Sequence, residues 1–157
     1  AEGAVRVESR GEVLNQFLVE VFCQILKAEA ACLAGKDLSL RELHLIDAVC
    51  RAVDQGGDNR STAIAAALGI TAGTLTSAVN LLEKKGYLLR RRDERDKRVV
   101  HLLPTERGRA ADARHRDFHR QMVAHVLDGL TDEEAECTLR ALGRVAEFFR
   151  RGAPERG

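Results

Sequence analysis

The chain has 157 residues, enough for one small domain with a real core and flanking helices. With 45% hydrophobic and 31% charged residues it reads as globular, which excludes a disordered chain, and it lacks the run of roughly 18 apolar residues that a membrane-spanning helix needs. The net charge of +1 gives no bulk case for nucleic-acid binding, so any such case rests on where the charges sit.

The opening AEGAVRVESRGEV has no charged segment leading into an apolar leader, so a cytoplasmic location and no membrane association are expected. From Glu12 to Leu33, apolar residues recur at Leu14, Leu18, Val21, Phe22 and Ile25, the spacing of a long helix with a broad apolar face. GKD then interrupts the pattern. Ser39 followed by Glu42 forms a capping-box signature for a second helix that turns Leu43, Ile46, Cys50 and Val53 inward and ends at QGGDN.

A short helix is expected from Thr62 to Leu68, then a turn through Gly69, then a helix capped by Thr71 that runs to Lys85 and closes at Gly86. Two helices joined by a tight glycine turn make a helix-turn-helix. In the second of them Leu75, Ala78, Val79 and Leu82 form a buried stripe, which leaves Thr71, Gly73, Thr74, Ser77 and Asn80 facing outward. Small hydroxyl side chains at a helix N-terminus let the backbone approach base edges and phosphates, although the same face would suit an ordinary solvated helix.

YLLRRR, DERD and KRVVHLL read as two strands around a charged turn, a wing. Between residues 84 and 98, Lys84, Lys85, Arg90, Arg91, Arg92, Arg95, Lys97 and Arg98 face only Asp93, Glu94 and Asp96. A hairpin of this kind can lay arginines along a DNA backbone and insert one into the minor groove. Thr105 opens a fifth helix with Ala111, His115, Phe118, Met122 and Val126 on one stripe. A capping box at Thr131 and Glu134 opens a sixth, which is expected to bury Ala135, Leu139, Leu142, Ala146 and Phe149 before the chain frays into RRGAPERG.

The fold expected is therefore mainly α with a small β-wing, a winged helix-turn-helix with N- and C-terminal dimerisation helices. Its divisions fall at 1–38 for the N-terminal dimerisation helix, 39–108 for the DNA-binding domain and 109–157 for the C-terminal dimerisation helices. A homodimer would present two recognition helices about one DNA turn apart to double-stranded operator DNA. Cys23, Cys32, Cys50 and Cys137 form no CxxC pair and are expected as reduced thiols.

The segment LGITAGTLTSAVNLLEKKGYLLRRRDERDKRVVHLLPTERG resembles the core of the MarR family of transcription regulators. The resemblance lies in the helix ending LEKKGY, the wing residues Asp96, Lys97 and Arg98, and the helix start Thr105, Glu106, Arg107 and Gly108. Pro104 departs from the leucine usual before that threonine. The resemblance implies that Thr71, Gly73, Thr74 and Ser77 read the major groove, that Arg98 enters the minor groove, and that Asp96 orients Arg98 or stabilises its turn; Asn80 and Arg95 are further candidates for DNA contact. Within the family, SLRELHLIDAV, GTLTSAVNLLEKKGY and RHRDFHRQMVAHVLDGLTDEE are similar to the branch that represses fatty-acid-synthesis genes. That similarity implies acylated acyl carrier protein as partner, a basic surface for it, and an apolar effector pocket, for which Phe22, Leu26, Leu43, Phe118 and Met122 are candidates. Core packing accounts for those five equally well.

His115 and His119 stand one helical turn apart, a geometry that presents two imidazoles to one metal. No cofactor is expected, with zinc as the alternative: the zinc-sensing branch of the same family places ligands at similar spacing, and here Cys32 and His44 could join the pair. The glutamate such a site wants near Leu26 is missing, with Glu29 a loose substitute. A peroxide-sensing role for Cys23 lacks its tyrosines, since Tyr87 is the only one. Catalysis is not expected: Arg116 stands where HExxH requires glutamate, and there is no phosphate-binding glycine loop or GxSxG.

Overall fold

The structure, a computed structural model, describes residues 9–33 and 37–151. Residues 1–8, the break at 34–36 that contains Gly35 and Lys36, and the tail after Arg151 lie outside the described residues.

The first helix, α1 (Arg10–Cys32), starts two residues earlier than the apolar pattern suggests. Ser9 is its N-cap: the Ser9 hydroxyl accepts from the Glu12 amide at 3.2 Å while the Glu12 carboxylate accepts from the Ser9 amide at 2.8 Å. Those bonds hold the Glu12 carboxyl below the usual range. The same box at Ser39 and Glu42 opens α2 (Leu40–Asp54) as the sequence implies. Next come α3 (Ser61–Leu68), ended by Gly69 at φ 63°, and α4 (Ala72–Lys84), capped by the Thr71 hydroxyl. The chain turns by 109° between them, within the range of a helix-turn-helix.

Strands β1 (Leu88–Arg92) and β2 (Val100–Pro104) pair antiparallel, with Leu88 opposite Pro104 and Arg92 opposite Val100. Pro104 at the strand end gives up no ladder donor, so its departure from leucine is harmless. Helix α5 (Glu106–Asp128) follows, then α6 (Asp132–Arg150) with a capping box at Thr131 and Glu134. No single helix among the described residues is long and apolar enough to cross a membrane.

The chain parts into two compact units, one running to Arg116 and the other starting at Asp117, with the division inside α5. The first unit holds the segment 39–108 together with α1 and the start of α5. Within it, Glu29 of α1 meets His44 of α2 and His115 of α5. The hydrophobic core of that unit comprises Leu43, Ile46, Val49 and Cys50 of α2, Ile64 of α3, and Leu75, Val79 and Leu82 of α4. Leu38, Leu45, Ala65, Tyr87, Leu88, Leu102 and Ala111 complete it. Every α4 position expected to face inward does so, with Ala78 half-buried.

In the second unit the expectation of a buried α6 stripe is not met within a single chain. Leu139, Leu142 and Phe149 are 65%, 51% and 70% exposed, and no residue of α6 is buried. The apolar periodicity makes the helix amphipathic, but covering the stripe needs a surface from elsewhere. The same holds on α1, where Val13, Leu14, Phe17 and Phe22 are exposed, and at Val126 of α5.

Candidate nucleic-acid interface

Helix α4 begins where Thr71 adopts extended backbone and its hydroxyl accepts from the Thr74 amide at 3.1 Å. The Thr71 and Thr74 hydroxyls lie 2.9 Å apart. Thr71, Gly73, Thr74, Ser77 and Asn80 are all exposed. A Cβ at Gly73 would meet nothing nearer than the Thr71 hydroxyl at 4.0 Å, so this end of the helix presents bare backbone and short hydroxyls. Unpaired N–H groups and the positive end of the helix dipole point the same way, a surface suited to phosphate and base edges.

The wing turn is built from aspartates. The Asp93 carboxylate accepts from the Arg95 amide at 2.8 Å and the Asp96 amide at 3.0 Å, which together with His101 holds its carboxyl below the usual range. Asp96 accepts from the Arg98 amide at 2.9 Å, so it shapes the backbone that carries Arg98. Arg91, Arg92, Arg95, Lys97 and Arg98 are exposed. His101, the second residue of β2, ties the hairpin to the rest of the unit: Nδ1 lies 2.8 Å from Asn59 Oδ1 and Nε2 lies 3.3 Å from Asp93 Oδ2. Asn59 in turn donates to the Leu102 carbonyl at 2.9 Å.

Two of the eight basic residues counted in the 84–98 segment face inward. Lys85 reaches Glu42 at 2.7 Å, joining the end of α4 to the start of α2. Arg90 turns back onto α4, pairing with Glu83, donating to Asn80 Oδ1 at 2.7 Å and to the Thr76 carbonyl at 3.1 Å. Behind the wing, the Tyr87 hydroxyl donates to Asp37 at 2.6 Å, and Arg107 lies 4.3 Å over the Tyr87 ring while pairing with Asp37 at 3.0 Å. The Tyr87 bond lowers the Asp37 carboxyl, opposed by desolvation and reinforced by the Arg107 charge.

Of the pocket candidates, Phe22 is exposed on α1, Leu26 is half-buried on α1, and Phe118 and Met122 are half-buried on α5. Leu43 is a core residue at 2% exposure and is committed to packing. Of the metal candidates, Cys32 is exposed on the last turn of α1, and His119 is half-buried one turn beyond His115. His44 and His115 sit with ring centroids 5.5 Å apart. Glu29, a loose substitute on sequence grounds, proves closely placed: its Oε1 lies 3.0 Å from His115 Nε2 and 3.6 Å from His44 Nε2, and the residue is 4% exposed. Helical rise carries position 29 to the level of these histidines, which a linear count toward Leu26 does not convey.

Next to this group runs a seam of paired charges. Asp47 pairs with Arg51, Asp112 with Arg116 at 2.8 Å, and Asp54 with Arg109 at 2.8 Å. Burial, and then the nearby Asp47 charge, push the Asp112 carboxyl up despite Arg116. Burial and the Asp112 charge push the Cys50 thiol up to about 12.

A helix pair turning through a glycine, an exposed small-residue recognition helix and an adjoining two-stranded hairpin define the winged helix-turn-helix class of protein. The MarR family pattern matches residues 49–100. Streptococcus pneumoniae FabT, solved in complex with DNA, is 35% identical with a TM-score of 0.79, over 88% of this chain and 96% of that one. The chain belongs to the MarR family. Staphylococcus aureus MepR, also solved with DNA, shares the fold at 18% identity and a TM-score of 0.70, over 90% of this chain and 99% of that one. The Bacillus subtilis HTH-type transcriptional regulator YwhA is 31% identical over 46% of this chain and 52% of its own length. YcgE of the same organism is 31% identical over 52% of this chain and 53% of its own. The chain thus spans about half the length of these two regulators.

Proposed function

We propose that this chain is a transcription regulator that binds operator DNA as a homodimer and represses fatty-acid-synthesis genes, with acylated acyl carrier protein as co-repressor. The observation that carries the DNA-binding reading is the exposed Thr71, Gly73, Thr74 and Ser77 face at the N-terminus of α4 beside a hairpin that displays Arg95 and Arg98. The α4 end enters the major groove and the wing arginines follow the backbone into the minor groove. The uncovered apolar faces of α1 and α6 favour a second copy, and two-fold symmetry then matches a palindromic site. The fatty-acid reading is supported by the similarity of three sequence stretches to that branch, along with 35% identity to FabT across most of both chains. Phe22 and Leu26 on α1, and Phe118 and Met122 on α5, offer apolar surface for an acyl chain.

A second reading, zinc control of DNA binding, is favoured by one observation. Glu29, His115 and His119 each offer a ligand atom within 4.8 Å of the others, giving two imidazoles and one carboxylate, a donor set that zinc accepts. Bound there, zinc would tie α1 to α5.

Gel shift on fatty-acid-synthesis promoter DNA tests both readings, with metal-free protein alone, with acylated carrier protein and with zinc. Tighter binding with the acylated carrier supports the first reading, and a response to zinc alone supports the second. Arg98→Ala should weaken operator binding by about 1–3 kcal/mol, and a loss no larger than that of Arg151→Ala removes the wing from the interface. Ser77→Glu should abolish binding while the protein stays folded. Retained binding takes that face of α4 out of the groove.

A further inference from the structure

The imidazole of His101 faces an acceptor at each nitrogen. Nδ1 lies 2.8 Å from Asn59 Oδ1, and Nε2 lies 3.3 Å from Asp93 Oδ2. The Asn59 amide can present only one end to the ring, because its NH2 group donates at 2.9 Å to the Leu102 carbonyl, an oxygen with no proton to give. Asn59 Oδ1 is therefore the atom that meets Nδ1, and Nδ1 carries the proton between them. Backbone contacts hold this arrangement: the Leu102 amide donates to the Asn59 carbonyl at 2.9 Å, and Arg60 bridges His101 at the free edge of β2.

The consequence falls on Nε2. In a neutral imidazole protonated at Nδ1, Nε2 is a bare acceptor, and the carboxylate in front of it is acceptor-only as well. Asp93 is an anion at neutral pH, since the Asp96 and Arg95 amides, ahead of His101, hold its carboxyl below the usual range. Two acceptors at 3.3 Å repel, whereas an imidazolium at the same place donates a charge-assisted bond. The other oxygen of that carboxylate orders the wing: Asp93 Oδ1 accepts from the Arg95 amide at 2.8 Å and the Asp96 amide at 3.0 Å, at the start of the turn that carries Arg95 and Arg98. Two further charges bear on the ring. Arg91, opposite His101 in the strand ladder, disfavours a second proton, but it is exposed and screened by solvent. Asp58 favours that proton, although its own charge is largely met by Arg60.

Resting on the reading of the wing as a DNA-contacting element, we propose that His101 is a positioning residue whose second proton fastens Asp93, and with it the turn that carries Arg95 and Arg98, to the loop before α3. Operator binding by this chain is thereby coupled to pH. Uptake of the proton favours the seated wing, and its loss as pH rises through the range in which imidazoles titrate releases it.

Two measurements on the full chain test this. Heteronuclear NMR of the imidazole nitrogens in the free protein reads the tautomer: once neutral, His101 should carry its proton on Nδ1, and a ring protonated on Nε2 overturns the inference. Binding to a duplex that the wild type enriches from a random library is then compared at about pH 8 and about pH 5.5. On acidification the wild type should gain about fivefold more affinity than Asp93→Asn, the worth of one net hydrogen bond. In Asp93→Asn the side-chain oxygen can still accept from the turn amides while its NH2 group donates to neutral Nε2, so the acid gain should vanish or reverse. The remaining histidines are present in both proteins, so the difference isolates the His101 and Asp93 contact. An equal acid gain in the two proteins overturns the inference and leaves the DNA-binding reading standing. Should Asp93→Asn not fold, His101→Leu takes its place and should lose the same gain, and its retention overturns the inference. A wild type that enriches no duplex overturns both.

Discussion

Replacing Gly108 with alanine puts a methyl group where the fold has no room. A Cβ at that position would lie 2.2 Å from the Tyr87 carbonyl oxygen and 3.3 Å from the Tyr87 carbonyl carbon. The oxygen contact is about 1 Å short of an ordinary van der Waals separation. The obstacle is backbone, so no rotamer change relieves it, and the start of α5 must lift away from the β1 entry. That movement stretches the bonds that seat the helix: the Thr105 amide donates to the Tyr87 carbonyl at 3.1 Å, the Thr105 hydroxyl to the Gly86 carbonyl at 2.7 Å, and Arg107 to the Lys85 carbonyl at 2.7 Å. Overpacking costs about 1–3 kcal/mol and each lost hydrogen bond about 1 kcal/mol, while alanine returns at most about 1 kcal/mol in helix propensity. The expected net loss is about 2–4 kcal/mol. Urea unfolding followed by circular dichroism should show a lower midpoint at unchanged slope. A variant within about 0.5 kcal/mol of wild type would refute the close approach of α5 to Tyr87.

Gly73→Ala should act in the opposite sense on stability. Its Cβ would meet only the Thr71 hydroxyl at 4.0 Å, so unfolding should be harder by up to about 1 kcal/mol while DNA affinity falls, and a joint loss of both would contradict the exposed placement of this helix end. Cys50, with its thiol pushed up to about 12 and its side chain in the core, should resist iodoacetamide at pH 8 until denaturant is added. Alkylation in the native protein at the rate of an unfolded thiol would show that α2 is not packed as described. Asp112 binds its proton more tightly folded than unfolded, so its contribution favours folding below the ordinary carboxylate range and is lost as pH rises through its raised pKa. The stability of Asp112→Asn relative to wild type should therefore increase between about pH 4 and pH 7 in urea titrations. A flat or decreasing difference would mean that Arg116 outweighs burial.

Much of the architecture was legible because it depends on local rules. Capping boxes at Ser39 and Thr131, the Thr71 cap, the glycine turn at Gly69 and the alternation through the wing each act over a few residues, and the observed elements fall close to where they place them. The α4 stripe was readable for the same reason, since helical periodicity alone decides which of its residues can share a face. The start of α1 obeys the same local rule: Ser9 and Glu12 carry the box, ahead of the apolar repeat.

The amino-acid sequence by itself determined the order of helices and strands, the outward face of the recognition helix and the local concentration of basic charge, because each follows from neighbours along the chain. Only the tertiary structure decided which of those charges remain available. Arg90 is drawn back to Glu83 and Asn80, and Lys85 to Glu42, while Arg95 and Arg98 stay exposed. Tertiary contact likewise brought Glu29 to His44 and His115, and set Gly108 against the Tyr87 carbonyl. These pairings join residues 7 to 86 positions apart, and a sequence pattern carries no distance between such residues until the core has fixed how the helices cross.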